Sequence, residues 1–169
     1  IFKHNILGID LDLRAKQLTQ FALLMKACQK EVSFLDGKLM PRVYTMPRPI
    51  GEMLSDFEQA LPDFLMGSNS QMISELKDAI LLMDHADTLG SIMKFNLSES
   101  TRNTVMIRTK EYDEMLSNGE IIAESNRLLL PYMRIILALT DKYAAICMNP
   151  PYMGNGHFDD TLSKYVKNR

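Results

Sequence analysis

The chain has 169 residues, a length that suits one domain with its own hydrophobic core. Hydrophobic residues make up 46% of it and charged residues 24%, as in ordinary soluble globular proteins, and the formal net charge of −2 argues against binding a polyanion through overall charge. The longest apolar stretch, residues 128–139, contains Pro131 and Arg134 and is too short to span a bilayer, so we expect no membrane association.

The cysteines and histidines show no pattern of a disulfide or a metal site. Cys28 and Cys147 are far apart in the sequence and lie in apolar surroundings, so the simplest interpretation is two buried, reduced thiols in a cytoplasmic protein. His4, His85 and His157 lack the spacing of metal ligands, and we expect no bound metal.

The first predicted elements are a strand and a helix. Residues 5–11 (NILGIDL) form an apolar run that ends in an acid, which predicts a buried strand. Asp12 can then cap a helix that extends to about Gln29. We expect one face of this helix to be buried, because apolar residues recur on it at helical spacing, namely Ala15, Leu18, Ala22 and Met25.

A second strand is predicted over residues 43–46. Pro47 and Pro49 end it, because proline cannot donate a hydrogen bond to a neighbouring strand. The order strand, helix, strand favours an α/β fold with a parallel sheet.

The middle of the chain is predicted to be mostly helical. Helices are expected over residues 51–61 and 71–86, with Ser70 as a candidate N-cap of the second, and a long helix over residues 120–141. Pro131 either kinks the long helix or starts a second one.

The region between these helices has a mixed pattern. Residues 91–95 and 105–107 read as short strands separated by polar residues, and residues 111–116 as a helical turn.

A stiff tip is predicted near the end of the chain. Residues 143–148 read as a last strand, which runs into the segment ICMNPPYMG at residues 146–154. Pro150 and Pro151 must end that strand, because they fix their own φ and donate no backbone hydrogen bond.

The polar groups of this tip suit a planar amine. The side-chain carbonyl of Asn149 and a neighbouring backbone carbonyl form a pair of acceptors for the two N–H donors of an amino group. Tyr152 can hold the ring that carries the amine by stacking. The tip therefore predicts a site that makes an exocyclic amine nucleophilic, and the alternative is a strand-ending turn without chemistry.

Two motifs carry a resemblance to a known family. NPPY at residues 149–152 resembles the catalytic motif of amino-group methyltransferases that use S-adenosyl-L-methionine, above all the N6-adenine DNA methyltransferases. GIDLD at residues 8–12 resembles their second cofactor motif, which implies that Asp10 holds the ribose hydroxyls of the cofactor and that Leu11 lies beside its adenine. Asp12 competes for that role, although its place suits a helix cap. The residues that the resemblance implies to be catalytic are Asn149, Pro150, Pro151 and Tyr152.

The resemblance is strongest to one subfamily. The stretches GIDLDLRAKQLTQFALLMKA, LGSIMKF and KYAAICMNPPYMGNG together resemble the large adenine-specific methyltransferases of bacteriophage-exclusion (BREX) systems, and restriction enzymes with their own methyltransferase are near relatives. This implies DNA methylation in phage defence or restriction–modification, in the bacterial cytoplasm. The implied partners are double-stranded DNA and other phage-defence proteins.

The implied fold is α/β, with a partial Rossmann-like methyltransferase core of few parallel strands and a large, mostly helical insertion. Residues 1–49 would form the cofactor-side unit, residues 50–140 the insertion, and residues 141–169 the strand with the NPPY motif and the following loop. The family's glycine-rich first motif does not precede Asp10 in the chain. We therefore expect a fragment that is inactive alone, binds cofactor weakly and can self-associate.

Two alternatives remain open from the sequence. The same tip could serve an N-methyltransferase that acts on protein glutamine or on guanine in RNA, although the long insertion speaks against these compact enzymes. The chain could also be a non-catalytic helical interaction module that keeps the motif.

Overall fold

The structure is a computed structural model that describes residue 2 and residues 5–36, 39–67, 69–148 and 160–167. The chain divides into two compact units, Ile1–Met46 and Pro47–Arg169. Among the described residues, the first unit contains both strands and the second is built from helices and loops.

The first unit is a strand–helix–strand arrangement. It consists of strand β1 (Leu7–Asp10), helix α1 (Leu13–Cys28), a 3-10 helix (Val32–Asp36) and strand β2 (Arg42–Thr45). The two strands pair in parallel, which confirms the predicted α/β arrangement. Gly8 allows close packing against the buried Val43, since a Cβ at position 8 would lie 3.3 Å from Val43 Cγ1.

Helix α1 begins where the sequence predicts, but its apolar face is not buried. Asp12 is its N-cap, and the Asp12 carboxylate accepts a hydrogen bond from the Arg14 N–H at 2.8 Å. No residue of α1 is buried, and Leu18, Phe21 and Met25 are 69%, 63% and 48% exposed. The prediction of a buried face is therefore wrong. Helical spacing identifies the side chains that share a face, whereas burial depends on what packs against it.

The second unit is helical in all of its described elements. They are a 3-10 helix (Gly51–Met53), α2 (Leu54–Leu65), α3 (Ser70–Met83), α4 (Ala86–Leu89), a 3-10 helix (Gly90–Ile92), α5 (Glu99–Ser117), α6 (Glu124–Thr140) and α7 (Asp160–Lys167). None of the helices within the described ranges has the length and apolar character needed to cross a bilayer.

The core of the second unit lies between α2, α5 and α6, which pack against one another. Helix α6 contributes side chains at helical spacing, and Leu129, Met133 and Ile136 are fully buried. The helix runs through Pro131, so the long predicted helix is one element and no second helix starts at the proline.

The N-cap of α3 differs from the prediction by one residue. Asn69, not Ser70, precedes the helix, and its Oδ1 accepts hydrogen bonds from the backbone N–H groups of Gln71 at 3.0 Å and Met72 at 3.2 Å. An asparagine side chain reaches these donors as well as serine does, so both residues carry the same sequence signal.

The prediction of strands over residues 91–95 and 105–107 is wrong. Residues 90–92 form a 3-10 helix, and residues 105–107 lie inside α5, which also includes the predicted helical turn over residues 111–116. Helix α5 begins after Ser98, whose hydroxyl accepts a hydrogen bond from the Thr101 N–H at 3.3 Å. Tertiary packing of the helix thus overrides the β propensity of its branched residues.

The prediction of a strand before the NPPY motif is also wrong. Residues 143–148 follow α6 without forming a strand, and Ile146 and Cys147 are exposed. A β-prone run becomes a strand only where another strand pairs with it, and the described part of the second unit contains none. Since Cys28 is only half-buried and Cys147 is exposed, the expectation of two buried thiols is wrong as well.

Candidate active site

Asp10 lies at the edge of the sheet where both strands end. It is the last residue of β1 and pairs in register with Thr45, the last residue of β2. The ladder continues one bond further, because the Met46 N–H donates to the Asp10 carbonyl at 2.9 Å. Ligands of α/β folds bind at the carboxyl ends of parallel strands, so this position suits a ligand-binding residue.

The Asp10 carboxylate is oriented by its own turn and is open to solvent. Its Oδ1 accepts a hydrogen bond from the Asp12 N–H at 2.8 Å. Within the described ranges its Oδ2 has no hydrogen-bond partner, and the residue is exposed. A carboxylate offers about four lone-pair sites, so the turn leaves acceptor sites for a ligand with two neighbouring hydroxyls.

Asp12 uses its carboxylate differently. The Asp12 side chain accepts from the Arg14 N–H and so satisfies a donor in the first turn of α1. The prediction that Asp12 suits a helix cap is confirmed. Of the two acids, Asp10 therefore has the side chain that is freer to meet a ligand.

Leu11 stands between these acids and exposes its apolar side chain. It is 51% exposed and follows Asp10 directly. An apolar side chain beside an open carboxylate provides a surface for a flat ring next to a group for hydroxyls. The structure thus brings Asp10 and Leu11 together at one end of the first unit.

The predicted catalytic residues Asn149, Pro150, Pro151 and Tyr152 lie outside the described residues, and their roles stay predictions. They belong to the second unit, whereas Asp10 belongs to the first. In the sequence, the described residues that flank this segment are Met148, which is exposed, and Asp160, the first residue of α7.

A polar cluster in the second unit was not predicted from the sequence. The Glu75 carboxylate on α3 accepts hydrogen bonds from the backbone N–H and the hydroxyl of Ser98, both at 2.9 Å, and from Gln71 at 2.9 Å. Partial burial by itself raises the pKa of Glu75, but the bonds from Thr101, Ser98 and Gln71 outweigh it and lower the pKa to about 2. All of these partners belong to α3 or to the start of α5, so the cluster is structural.

A tyrosine of α6 also has a shifted pKa, and it is hydrogen-bonded to the backbone near the start of the second unit. The Tyr132 hydroxyl donates to the Arg48 carbonyl at 2.7 Å. Burial, together with the negative charge of Asp84, raises the pKa of Tyr132.

Nowhere in the described part of the chain do three His, Cys, Asp or Glu side chains meet as metal ligands would.

The chain matches a known protein family over nearly its whole length. Residues 4–169 match the family described as Eco57I restriction-modification methylase. The chain belongs to this family. No solved structure matches it.

Two curated relatives of this Eco57I-family chain have informative names. It is 30% identical over 168 residues to "Adenine-specific methyltransferase PglX" of Lacticaseibacillus casei (strain Zhang), an alignment that covers 98% of this chain and 14% of the relative. It is 29% identical over 188 residues to "Adenine-specific methyltransferase BrxX" of Escherichia coli O9:H4 (strain HS), covering 99% of this chain and 15% of the relative. The chain thus spans about one seventh of the length of these relatives.

Proposed function

We propose that the chain forms part of the catalytic domain of an S-adenosyl-L-methionine-dependent DNA methyltransferase that methylates the N6 amine of adenine. Membership of the Eco57I family and the names of both relatives support this over activity on glutamine or guanine. The observation that carries the cofactor part of the proposal is the oriented, exposed carboxylate of Asp10 at the carboxyl edge of the sheet. We further propose that β1, α1 and β2 belong to a Rossmann-like core.

The cofactor fits the residues at the end of β1. The Asp10 carboxylate would accept hydrogen bonds from the two ribose hydroxyls, while its Oδ1 stays bonded to the Asp12 N–H. The exposed side chain of Leu11 would lie against the adenine ring. When bound, the cofactor supplies a methyl group on a positively charged sulfur.

The NPPY residues would hold the acceptor amine. The side-chain carbonyl of Asn149 and the backbone carbonyl of Pro150 would accept the two N–H donors of the amine and favour a pyramidal nitrogen whose lone pair is free. Held in this way, the amine nitrogen would be the acceptor of the methyl group that the cofactor would supply, and water would take up the proton that the amine loses. Pro151 would restrict the backbone of this segment, and Tyr152 would stack on the base, a contact worth about 1–3 kcal/mol.

The substrate would be double-stranded DNA from which the target adenine is flipped out, at a cost of a few kcal/mol. Holding the amine and the methyl donor in the correct relative orientation can lower the activation barrier by roughly 7–11 kcal/mol. A bacterial cytoplasmic role in phage defence or restriction–modification follows from the same proposal.

The product of the reaction tests this proposal. The full-length protein, meaning a polypeptide of the relatives' length that contains this chain, is incubated with S-adenosylmethionine and double-stranded DNA. The DNA is then digested to nucleosides for mass spectrometry. We expect N6-methyl-2′-deoxyadenosine. A methyl group on another base, or DNA that stays unmethylated while a protein glutamine is modified, would contradict the proposal.

A further inference from the structure

The outward face of helix α1 carries an apolar stripe, which is formed by Leu18, Phe21 and Met25. These residues are three and four positions apart, so they share one face of the helix, and all three are exposed. Single apolar residues are ordinary on a protein surface. Three large neighbouring ones are typical of a surface that binds another surface.

The opposite face of α1 already holds the helix on its own unit. Leu23, Leu24 and Ala27 are half-buried, and α1 packs against both strands. Gln20 Nε2 also donates to the Pro41 carbonyl at 3.3 Å. The helix is therefore held without the apolar stripe, and the stripe is left available for a partner.

The two ends of the apolar stripe are cationic. Arg14 lies one turn before Leu18, Lys26 follows Met25, and both cations are exposed without an ion pair to any residue that the structure describes. With a rise of about 1.5 Å per residue, they stand about 18 Å apart along the helix axis. Residues 13–30 include four lysines or arginines and no acid. The exposed residues between the two cations are all uncharged, at positions 17, 18, 19, 21, 22 and 25.

This arrangement matches the anatomy of a protein interface, in which charged residues are depleted at the centre and polar groups form the rim. The rim here is positive at both ends, so charge complementarity favours a partner with carboxylates on either side of an apolar groove. The stripe has only three large side chains, whereas a helix that lies in a membrane surface buries a larger apolar face. A protein partner is therefore favoured over a lipid surface.

We propose that the apolar stripe docks into an apolar, acid-rimmed groove of the same full-length polypeptide, formed by residues outside these 169. The chain spans about one seventh of the length of its curated relatives, so most of a polypeptide of that length lies outside it. A partner on the same polypeptide is present at an effective concentration of about millimolar, which favours it over a separate protein.

Photo-cross-linking from position 21 tests this docking. The cross-linker p-benzoylphenylalanine replaces Phe21 in the full-length protein, and equal amounts of isotopically light and heavy protein are mixed before irradiation. Mass spectrometry then identifies the cross-linked peptides. We expect light–light and heavy–heavy pairs only, in which α1 is joined to a peptide that lies outside the 169 residues and contains aspartate or glutamate.

Charge reversal tests the acidic rim separately. Combining Arg14→Glu with Lys26→Glu should lower the yield of this cross-link about threefold, because two attractive contacts become repulsive. Lys110→Glu is the matched control, since Lys110 is an exposed cation of α5, and its yield should equal that of the wild type. An unchanged yield in the double variant would contradict the acidic rim.

Four other results would overturn the docking. Light–heavy pairs would show that a second copy covers the stripe, and a cross-link that maps within the 169 residues would show that this chain covers it. The absence of any specific cross-link would show that the stripe stays free. Flotation of the full-length protein with phosphatidylglycerol vesicles, lost in Phe21→Lys, would assign the stripe to a membrane surface.

Discussion

At the end of β1, two carboxylates two residues apart have different partners. Asp12 accepts from the Arg14 N–H and caps α1, whereas Asp10 accepts only from the Asp12 N–H within the described residues and is exposed. In the sequence GIDLD, the family resemblance implies that Asp10 holds the ribose, and the start of the predicted helix suits Asp12 as its cap. The structure shows which side chain the helix uses.

Replacing Asp10 by Asn should weaken cofactor binding without disturbing the turn. An amide oxygen can still accept from the Asp12 N–H, but the charge that favours two ribose hydroxyls is lost. Hydrogen bonds to charged groups are worth about 1.5–3 kcal/mol, so we expect the Kd of S-adenosylmethionine to rise about 10- to 100-fold in the full-length protein. Isothermal titration calorimetry measures this Kd.

Asp12→Asn is the matched control, because Asn is as good an N-cap as Asp and the substitution removes the same charge two residues away. Its Kd should stay within about twofold of wild type. If Asp12→Asn weakens binding and Asp10→Asn does not, the assignment of the two acids is reversed.

At the scale of elements, α3 and α5 are joined through one carboxylate. In a capping box the third residue of a helix supplies the acid that accepts from the N-cap N–H, but here Thr101 occupies that position. Glu75 of α3 accepts from the Ser98 N–H instead. The start of α5 therefore depends on α3 being in place, which couples the folding of the two helices.

Glu75→Gln should destabilise the chain in a pH-dependent way. The pKa of Glu75 is lowered from 4.5 to about 2, so its charged form stabilises the fold fully above about pH 4.5, and this contribution is lost as the pH falls toward 2. We expect Glu75→Gln to lower the free energy of unfolding by about 1 kcal/mol at pH 7, a value discounted for solvent screening. The difference from wild type should shrink between pH 4.5 and pH 2.

Urea denaturation at pH 7 and at pH 3 measures this difference. Glu114→Gln serves as control, since Glu114 is exposed and its pair with Lys110 at 3.6 Å is a surface ion pair worth about 0.3–0.5 kcal/mol. Equal destabilisation by Glu75→Gln at both pH values would contradict the role of the charged carboxylate.

The sequence predicted those elements in which apolar residues recur at regular spacing and a capping residue or a proline marks an end. The helix after Asp12 and the strands on either side of it were predicted within a few residues, because a cap and two prolines mark their ends. Residues 105–107 and 143–148 were not, since β-branched composition without a pairing partner is an incomplete signal. The Glu75 cluster could not be predicted, because it joins residues 23 positions apart.

At the scale of the whole molecule, the two units differ in how well they bury apolar residues. The second unit has many fully buried side chains, whereas in the described part of the first only Phe2 and Val43 are buried hydrophobic residues. Parallel sheets are normally covered on both faces, and α1 leaves Leu18, Phe21 and Met25 exposed. The first unit thus carries an apolar surface that favours association.

Self-association of the 169-residue chain stays a prediction, and Phe21→Lys tests it. We expect sedimentation velocity to show concentration-dependent oligomers of the wild type and mostly monomer for Phe21→Lys, because a charge on that face opposes burial against a second copy. Ile121→Lys is the control, since Ile121 is almost fully exposed in a loop of the second unit. A monomeric wild type at high concentration would contradict the prediction.

The candidate site was predicted from two motifs, and the structure adds the reason why one of them suits a ligand. The open carboxylate of Asp10 follows from the turn and from the helix cap two residues later. Asp10 and Asn149 are 139 positions apart in the sequence. Their spacing in the sequence does not fix the distance between them in space.

The rate of methyl transfer by Asn149→Ala tests the central claim most directly. The rate constant is measured in the full-length protein at saturating S-adenosylmethionine and double-stranded DNA, with Asn103→Ala on the exposed surface of α5 as control. We predict a fall of about 100- to 1,000-fold for Asn149→Ala, as expected when one fixed polar group at the reacting atoms is removed, and a wild-type rate for the control. A wild-type rate for Asn149→Ala would contradict the account.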